Sequence, residues 1–94
     1  MAIFAVHYQY ADQPEAVAAA KPEHRAYLAR LLDGDKLAAS GAFLDANEGL
    51  LILKADDQAG AEALIAADPI NRAGLVAKIT INHWSPTLGP FAEG

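Results

Sequence analysis

The 94-residue chain predicts an α+β fold in which two helices cover one face of a four-stranded antiparallel sheet. Three observations carry that prediction. Four short runs of apolar, β-branched and aromatic residues are bounded by turn residues. Two further stretches repeat apolar residues at steps of three and four. The two kinds alternate in the order strand, helix, strand, strand, helix, strand, and both crossovers are long enough for the right-handed connection such units adopt.

The first strand runs from Ile3 to Tyr10 and closes in the polar segment ADQPE. After an alanine-rich turn, Lys21-Pro22-Glu23 opens the first helix, because proline is tolerated in a first turn and a carboxylate there complements the dipole. Gly34 stops that helix, which therefore spans about Pro22 to Asp33, and its buried stripe reads His24, Tyr27, Leu28, Leu31 and Leu32. LAASGAFL and, after the turn DANEG, LLILKA are the second and third strands. Asp56 or Asp57 caps a second helix, DQAGAEALIAAD, whose stripe is Ala61, Leu64, Ile65 and Asp68. Pro69 ends it, since a residue before proline is pushed out of the helical region. PINRAG is a turn, LVAKITINHW the fourth strand and SPTLGPFAEG a tail, so one domain fills residues 1–94 with its core in about 2–86 and its tail in 87–94. The arrangement is ferredoxin-like, βαββαβ.

LLIL and LAASGAFL place apolar or small side chains on both faces of the sheet, yet two helices cover only one. Much of the 53% hydrophobic content is alanine, which buries little area. A second copy packed on the open sheet face, as a C2 homodimer, is the expected cover.

The net charge of -5 excludes the clustered Lys and Arg that nucleic acid or an anionic membrane surface requires. No apolar run approaches the roughly 20 residues that cross a bilayer. MAIFAVHYQY lacks the basic start and cleavage site of a secretory signal, and the chain has no cysteine, so a cytoplasmic protein is expected. There is no H-E-x-x-H, facial triad or glycine-rich phosphate loop, and His7 and His83 fall on outer strands without an acidic partner at a recognisable spacing, so neither metal nor cofactor is expected.

With the first strand running upward, the start of the first helix and the end of the second lie at the same end, which carries His24 and Asp68 toward each other. There each opposes its helix macrodipole, by about 0.3 to 1 kcal/mol, and pairing offsets that cost. A carboxylate-held imidazole is suited to general acid/base chemistry. Considered singly, His24 reads as a core residue and Asp68 as an ordinary Asp-Pro junction. Ser40 and Gly41, midway along the second strand, offer a hydroxyl and close approach to a substrate; Ser40 lacks the strand-to-helix elbow of a nucleophile. Tyr8 and Tyr10 share a face near the same end, where either hydroxyl could reach the pocket, although an interface aromatic is the commoner role; Arg25 and Arg72 could bind an anionic substrate, although each reads first as a solvated surface charge.

Lys21-Pro22-Glu23-His24, Leu37-Ala38-Ala39-Ser40-Gly41 and Ala66-Ala67-Asp68-Pro69, followed by Ala73-Gly74-Leu75-Val76, resemble the R-P-x-H, S-G-P and A-D-P-[YF]-x-x-A-G-[LV] signatures of the YciI-like (YCII-related) family. The resemblance extends from Ile3 to Leu88 and implies a ferredoxin-like dimeric α+β barrel with an active site at His24 and Asp68. Lys21 stands where arginine is usual, Ala42 where proline is common and Ile70 where an aromatic is frequent, which alters the pocket and leaves the dyad intact.

The resulting expectation is a small-molecule enzyme that moves protons without a cofactor, by isomerisation, elimination or hydrolysis. His24 and Asp68 would be catalytic, and Ser40, Gly41, Tyr8 and Arg25 would bind substrate. The alternative is a noncatalytic ligand-binding or oligomerisation module with a structural His/Asp pair. An oxygenase of the related barrel superfamily would require a flavin or haem, for which no ligand set is visible.

Overall fold

Alternation along β1 (Ala2–Tyr10) sets the layering of the computed structural model, which describes residues 1–92. Phe4, Val6, Tyr8 and Tyr10 are buried toward the helices, whereas Ala5, His7 and Gln9 face the other side. β1 is an inner strand. It pairs antiparallel with β3 (Glu48–Ala55), where Phe4 meets Leu53, and with β4 (Val76–Trp84), where Val6 meets Ile81. β2 (Leu37–Ala42) joins the far edge of β3, so the order is β2-β3-β1-β4 with every pair antiparallel. The fold is the ferredoxin-like α+β arrangement.

The first helix, α1, is longer than the Pro22 start implies: it spans Pro14–Asp33. The alanine-rich segment expected as a turn forms its first two turns, with Pro14 in the first turn, Glu15 beside it, and alanine supplying the highest helix propensity. Val17, His24, Leu28 and Leu31 bury one stripe through both halves, and Leu32, assigned to that stripe from spacing, is 54% exposed instead. Pro22 lies inside the helix and has no N–H to give the Ala18 carbonyl. Both residues are exposed, so water reaches the freed carbonyl and the helix continues. His24 is therefore a mid-helix residue, and the dipole penalty expected at a helix start does not apply to it.

The second helix, α2 (Gln58–Ala66), is capped by the Asp57 carboxylate, which accepts the Gly60 N–H at 2.8 Å. It ends earlier than expected, with Ala67 as its C-cap, so Asp68 is not its last turn. PINRAG, expected as a plain turn, contains a third short helix, α3 (Pro69–Arg72), packed against α1. Asp68 caps the start of α3, a position that suits a carboxylate, in contrast to the helix end where the sequence placed it.

Two further expectations change. His7 lies on the inner strand, not an outer one, and it has an acidic neighbour: its Nε2 stands 2.6 Å from Glu48 Oε1. The two atoms are in close contact, yet Nε2 has no partner in hydrogen-bonding geometry. His83 is on the edge strand β4 and stacks on Phe4 with centroids 4.9 Å apart. On the open face, Ala39, Leu50, Ile52, Phe43, Trp84 and Phe91 surround a depression of about 360 Å³. No helix among the described residues is long and apolar enough to cross a membrane.

The continuous α1 makes a clear prediction. Pro22→Ala restores one backbone hydrogen bond in an exposed helix interior and is expected to stabilise the fold by about 1 to 3 kcal/mol, seen as a higher Tm in thermal melting. A helix that began at Pro22 would gain nothing.

Candidate active site

Asp68 is a carboxylate with no exposure to solvent, and such a group is tolerated only when its lone pairs are filled. Three elements fill them. Tyr8 on β1 donates its hydroxyl to Oδ2 at 3.1 Å, the Ile70 N–H at the start of α3 reaches Oδ1 at 3.2 Å, and His24 Nδ1 lies 2.9 Å from Oδ1 and 2.8 Å from Oδ2. The backbone geometry that positions this carboxylate is local: Asp68 is extended, with φ -65 and ψ 124, and Pro69 follows as the first residue of α3.

The same contacts assign the tautomer of His24. A carboxylate accepts, so Nδ1 carries a proton and donates it, and in the neutral imidazole Nε2 then presents the lone pair. Among the described residues Nε2 has no hydrogen-bond partner, while His24 lines a cavity of about 310 Å³ between α1 and the β2–β3 edge. An imidazole oriented through one nitrogen and open at the other is equipped to accept a proton from a molecule in that cavity.

Of the residues singled out from the sequence, His24, Ser40, Gly41 and Arg25 all line this cavity. Tyr8 does not: it is fully buried behind Asp68 and its hydroxyl is committed to the carboxylate. Tyr10, one pleat further along β1, is the tyrosine on the cavity wall. Ser40 makes no hydrogen bond to the His24–Asp68 pair, and Arg72 is exposed outside the cavity. Lys21 lines the cavity too, a role that sequence spacing alone did not suggest, although i, i+4 spacing from Arg25 on a longer helix is the signal that reveals it. Gly49 matters for a different reason: a Cβ there would lie 2.8 Å from the Tyr10 hydroxyl, so glycine makes room for that ring. Among the described residues no three His, Asp or Glu side chains converge to hold a metal ion.

Burial raises the pKa of Tyr8 far above the ordinary phenol value, and the adjoining Asp68 carboxylate adds to the effect by its charge and by accepting the hydroxyl hydrogen. Burial likewise raises Tyr10 and Tyr27, with Asp68 as the second cause in each; for Tyr27 the hydroxyl donates to the Leu64 carbonyl at 2.6 Å. Burial lowers Lys21, and the Arg25 charge lowers it further.

A tyrosine whose folded pKa is raised stabilises the fold fully below its unfolded value of 10.0 and loses that contribution as pH rises above it, because the unfolded chain then ionises and the folded one does not. Stability is therefore expected to fall above about pH 10, with a shallower fall in Tyr8→Phe, measured by urea unfolding across the alkaline range. At neutral pH the same variant is expected to lose about 1 to 3 kcal/mol, because a buried carboxylate loses one of its donors.

No curated protein matches the chain in sequence. Among solved structures it resembles 5-chloro-2-hydroxyhydroquinone dehydrochlorinase (TftG) from Burkholderia phenoliruptrix AC1100, in complex with 2,5-dihydroxybenzoquinone. The TM-score is 0.70 and the identity 20%, over 88% of this chain and 93% of that one, a likeness of fold. The family model of the YCII-related domain matches residues 1–85, nearly the whole of the described chain including His24, Ser40 and Asp68, and the protein belongs to that family.

Proposed function

We propose that the protein is a cofactor-independent small-molecule enzyme of lyase type, with His24 as its general base and acid. The observation that carries this reading is the buried His24–Asp68 pair, with Nδ1 held by the carboxylate at 2.8 and 2.9 Å and the imidazole on the cavity wall. Nε2 takes a proton from the substrate, the released electron pair forms a new π bond, and the leaving group departs with its own bonding pair. The imidazolium, stabilised by Asp68, then passes the proton to a basic leaving group, or to water where the group departs as a weakly basic anion such as chloride. Ser40, Gly41 and Arg25 bind the substrate from the wall, and Tyr8 acts indirectly by supporting Asp68.

Isomerisation and hydrolysis draw on the same equipment. Elimination is preferred because the fold neighbour is a dehydrochlorinase, whose reaction removes hydrogen chloride. The competing reading, a noncatalytic module with a structural pair, draws support from the zero exposure of Asp68 and its three donors. Asp68→Asn separates the two. The amide keeps the volume, but its single oxygen cannot accept from Tyr8, Ile70 and His24 together, and it removes the negative charge that stabilises the imidazolium. Activity is then expected to fall about 100-fold or more with a cooperative melt retained, whereas a structural pair predicts unfolding with no activity to lose.

Chloride release from 5-chloro-2-hydroxyhydroquinone and related halogenated hydroquinones tests the reaction class directly. Wild type is expected to release chloride and His24→Ala to do so about 100-fold more slowly or worse. Equal release by the two proteins, including none from either, sinks the elimination reading.

The functional unit in this proposal is a homodimer through the open sheet face. Trp84 and Phe43, 39% and 40% exposed, border an apolar depression floored by Leu50 and Ile52, and covering it with a second copy removes that area from water. Sedimentation at micromolar concentration is expected to give twice the chain mass; a stable monomer overturns the arrangement.

A further inference from the structure

Two cations converge on the active-site cavity, and among the described residues no carboxylate lines it to balance them. Lys21 and Arg25 are four residues apart on α1, so they share a helix face, and both line the cavity beside His24. Among the described residues the close contacts between a basic side chain and a carboxylate are His7–Glu48, His24–Asp68 and Lys54–Asp35, so neither Lys21 nor Arg25 is matched. Asp68 is not available to them, being enclosed and hydrogen-bonded by three donors.

The arrangement costs stability as it stands. Like charges at this helical spacing repel by about 0.2 to 0.5 kcal/mol, and burial together with Arg25 already lowers the Lys21 pKa. It also runs against composition: the chain has 7 basic and 12 acidic residues, yet two of the basic ones stand on this small wall and, among the described residues, no acidic side chain lines it.

Lys21 is held where it is by an aromatic ring. Its Nζ lies 4.1 Å from the centroid of Tyr10, and Tyr10 is itself seated against Gly49, where a side chain would collide with the hydroxyl. A cation–π contact fixes the direction of an ammonium without cancelling its charge, which remains available to a ligand. Leu28, Leu50 and Leu51 form the apolar part of the same wall.

We propose that Lys21 and Arg25 form an oxyanion subsite, so that this cavity takes a small acid bound as its anion, with its charged oxygen at the two cations and its apolar body against the leucines. This rests on the reading of the cavity as the substrate site and narrows the substrate class. The same two cations would stabilise negative charge that develops on a substrate oxygen as His24 withdraws a proton.

A carboxylate and a phenolate share this chemistry, and titration calorimetry separates them. The probes are benzoate with benzamide as its neutral counterpart, and 2,4-dinitrophenolate with 2,4-dinitroanisole. Wild type is expected to bind at least one anion about tenfold or more tightly than its neutral counterpart, with affinity falling as salt is raised. Lys21→Met and Arg25→Met, checked for an unchanged melt, are each expected to weaken that anion about tenfold or more and leave the neutral counterpart unaffected. The anion that binds identifies the chemistry. Absence of anion binding by wild type, equal affinity for anion and neutral counterpart, or unchanged anion affinity in both variants overturns the subsite. His24→Ala is expected to keep the anion affinity, so a failed chloride assay with intact anion binding removes the elimination reading alone, and the reverse pattern removes the subsite alone.

Discussion

One enclosed carboxylate organises this molecule. Asp68 has no contact with water, and a charge in that position is strongly unfavourable unless its oxygens are filled. The donors come from β1, α1 and the first turn of α3, so satisfying Asp68 ties the adjoining α3 to two elements distant in sequence: Tyr8 is 60 residues away and His24 is 44. The requirement that holds the carboxylate in place also orients the imidazole, since the nitrogen that answers Asp68 cannot be the one that meets the cavity. Fold and site share a single set of hydrogen bonds.

The cavity follows from how far α1 extends. Because the helix begins at Pro14, His24 falls in its middle, and residues on both sides of it, Lys21 one turn earlier and Arg25 and Leu28 after it, form one wall. Ser40 and Gly41 on β2 and Leu50 and Leu51 on β3 form the other. A helix that started at Pro22 would leave Lys21 outside it and His24 on a fraying first turn, where its orientation would be weakly held. The alanine-rich segment that looks uninformative in the sequence thus lends rigidity to the site.

Much of this was legible in residue order. The β-branched and aromatic content of residues 3–10 marked β1, and the alternation of strands with helices led to the sheet topology. Spacing placed His24 on the buried stripe, and topology brought Asp68 to it. The physical argument attached to that pair was partly wrong, however. His24 is not at a helix start and Asp68 caps a new helix rather than ending an old one, so the dipole does not oppose either residue. The errors have one origin: local rules treat proline as a boundary, but Pro22 sits where water can reach the carbonyl it frees, and Pro69 opens a turn of helix as well as closing the segment before it.

By itself the sequence determined what depends on neighbours along the chain: the periods of the strands and helices, an aspartate cap at Asp56 or Asp57 that the structure assigns to Asp57, the acidic balance, and the family signatures around His24, Ser40 and Asp68. Only the tertiary structure decided which tyrosine supports the carboxylate and which faces the cavity. Tyr8 and Tyr10 have the same side-chain chemistry and lie on the same face of one strand; two residues of rise along β1 separate a hydroxyl bonded to Asp68 from a ring that carries Lys21. Long-range partners of this kind depend on the angle and offset at which a helix crosses a sheet. No local propensity encodes those quantities, because they result from the packing of the whole core.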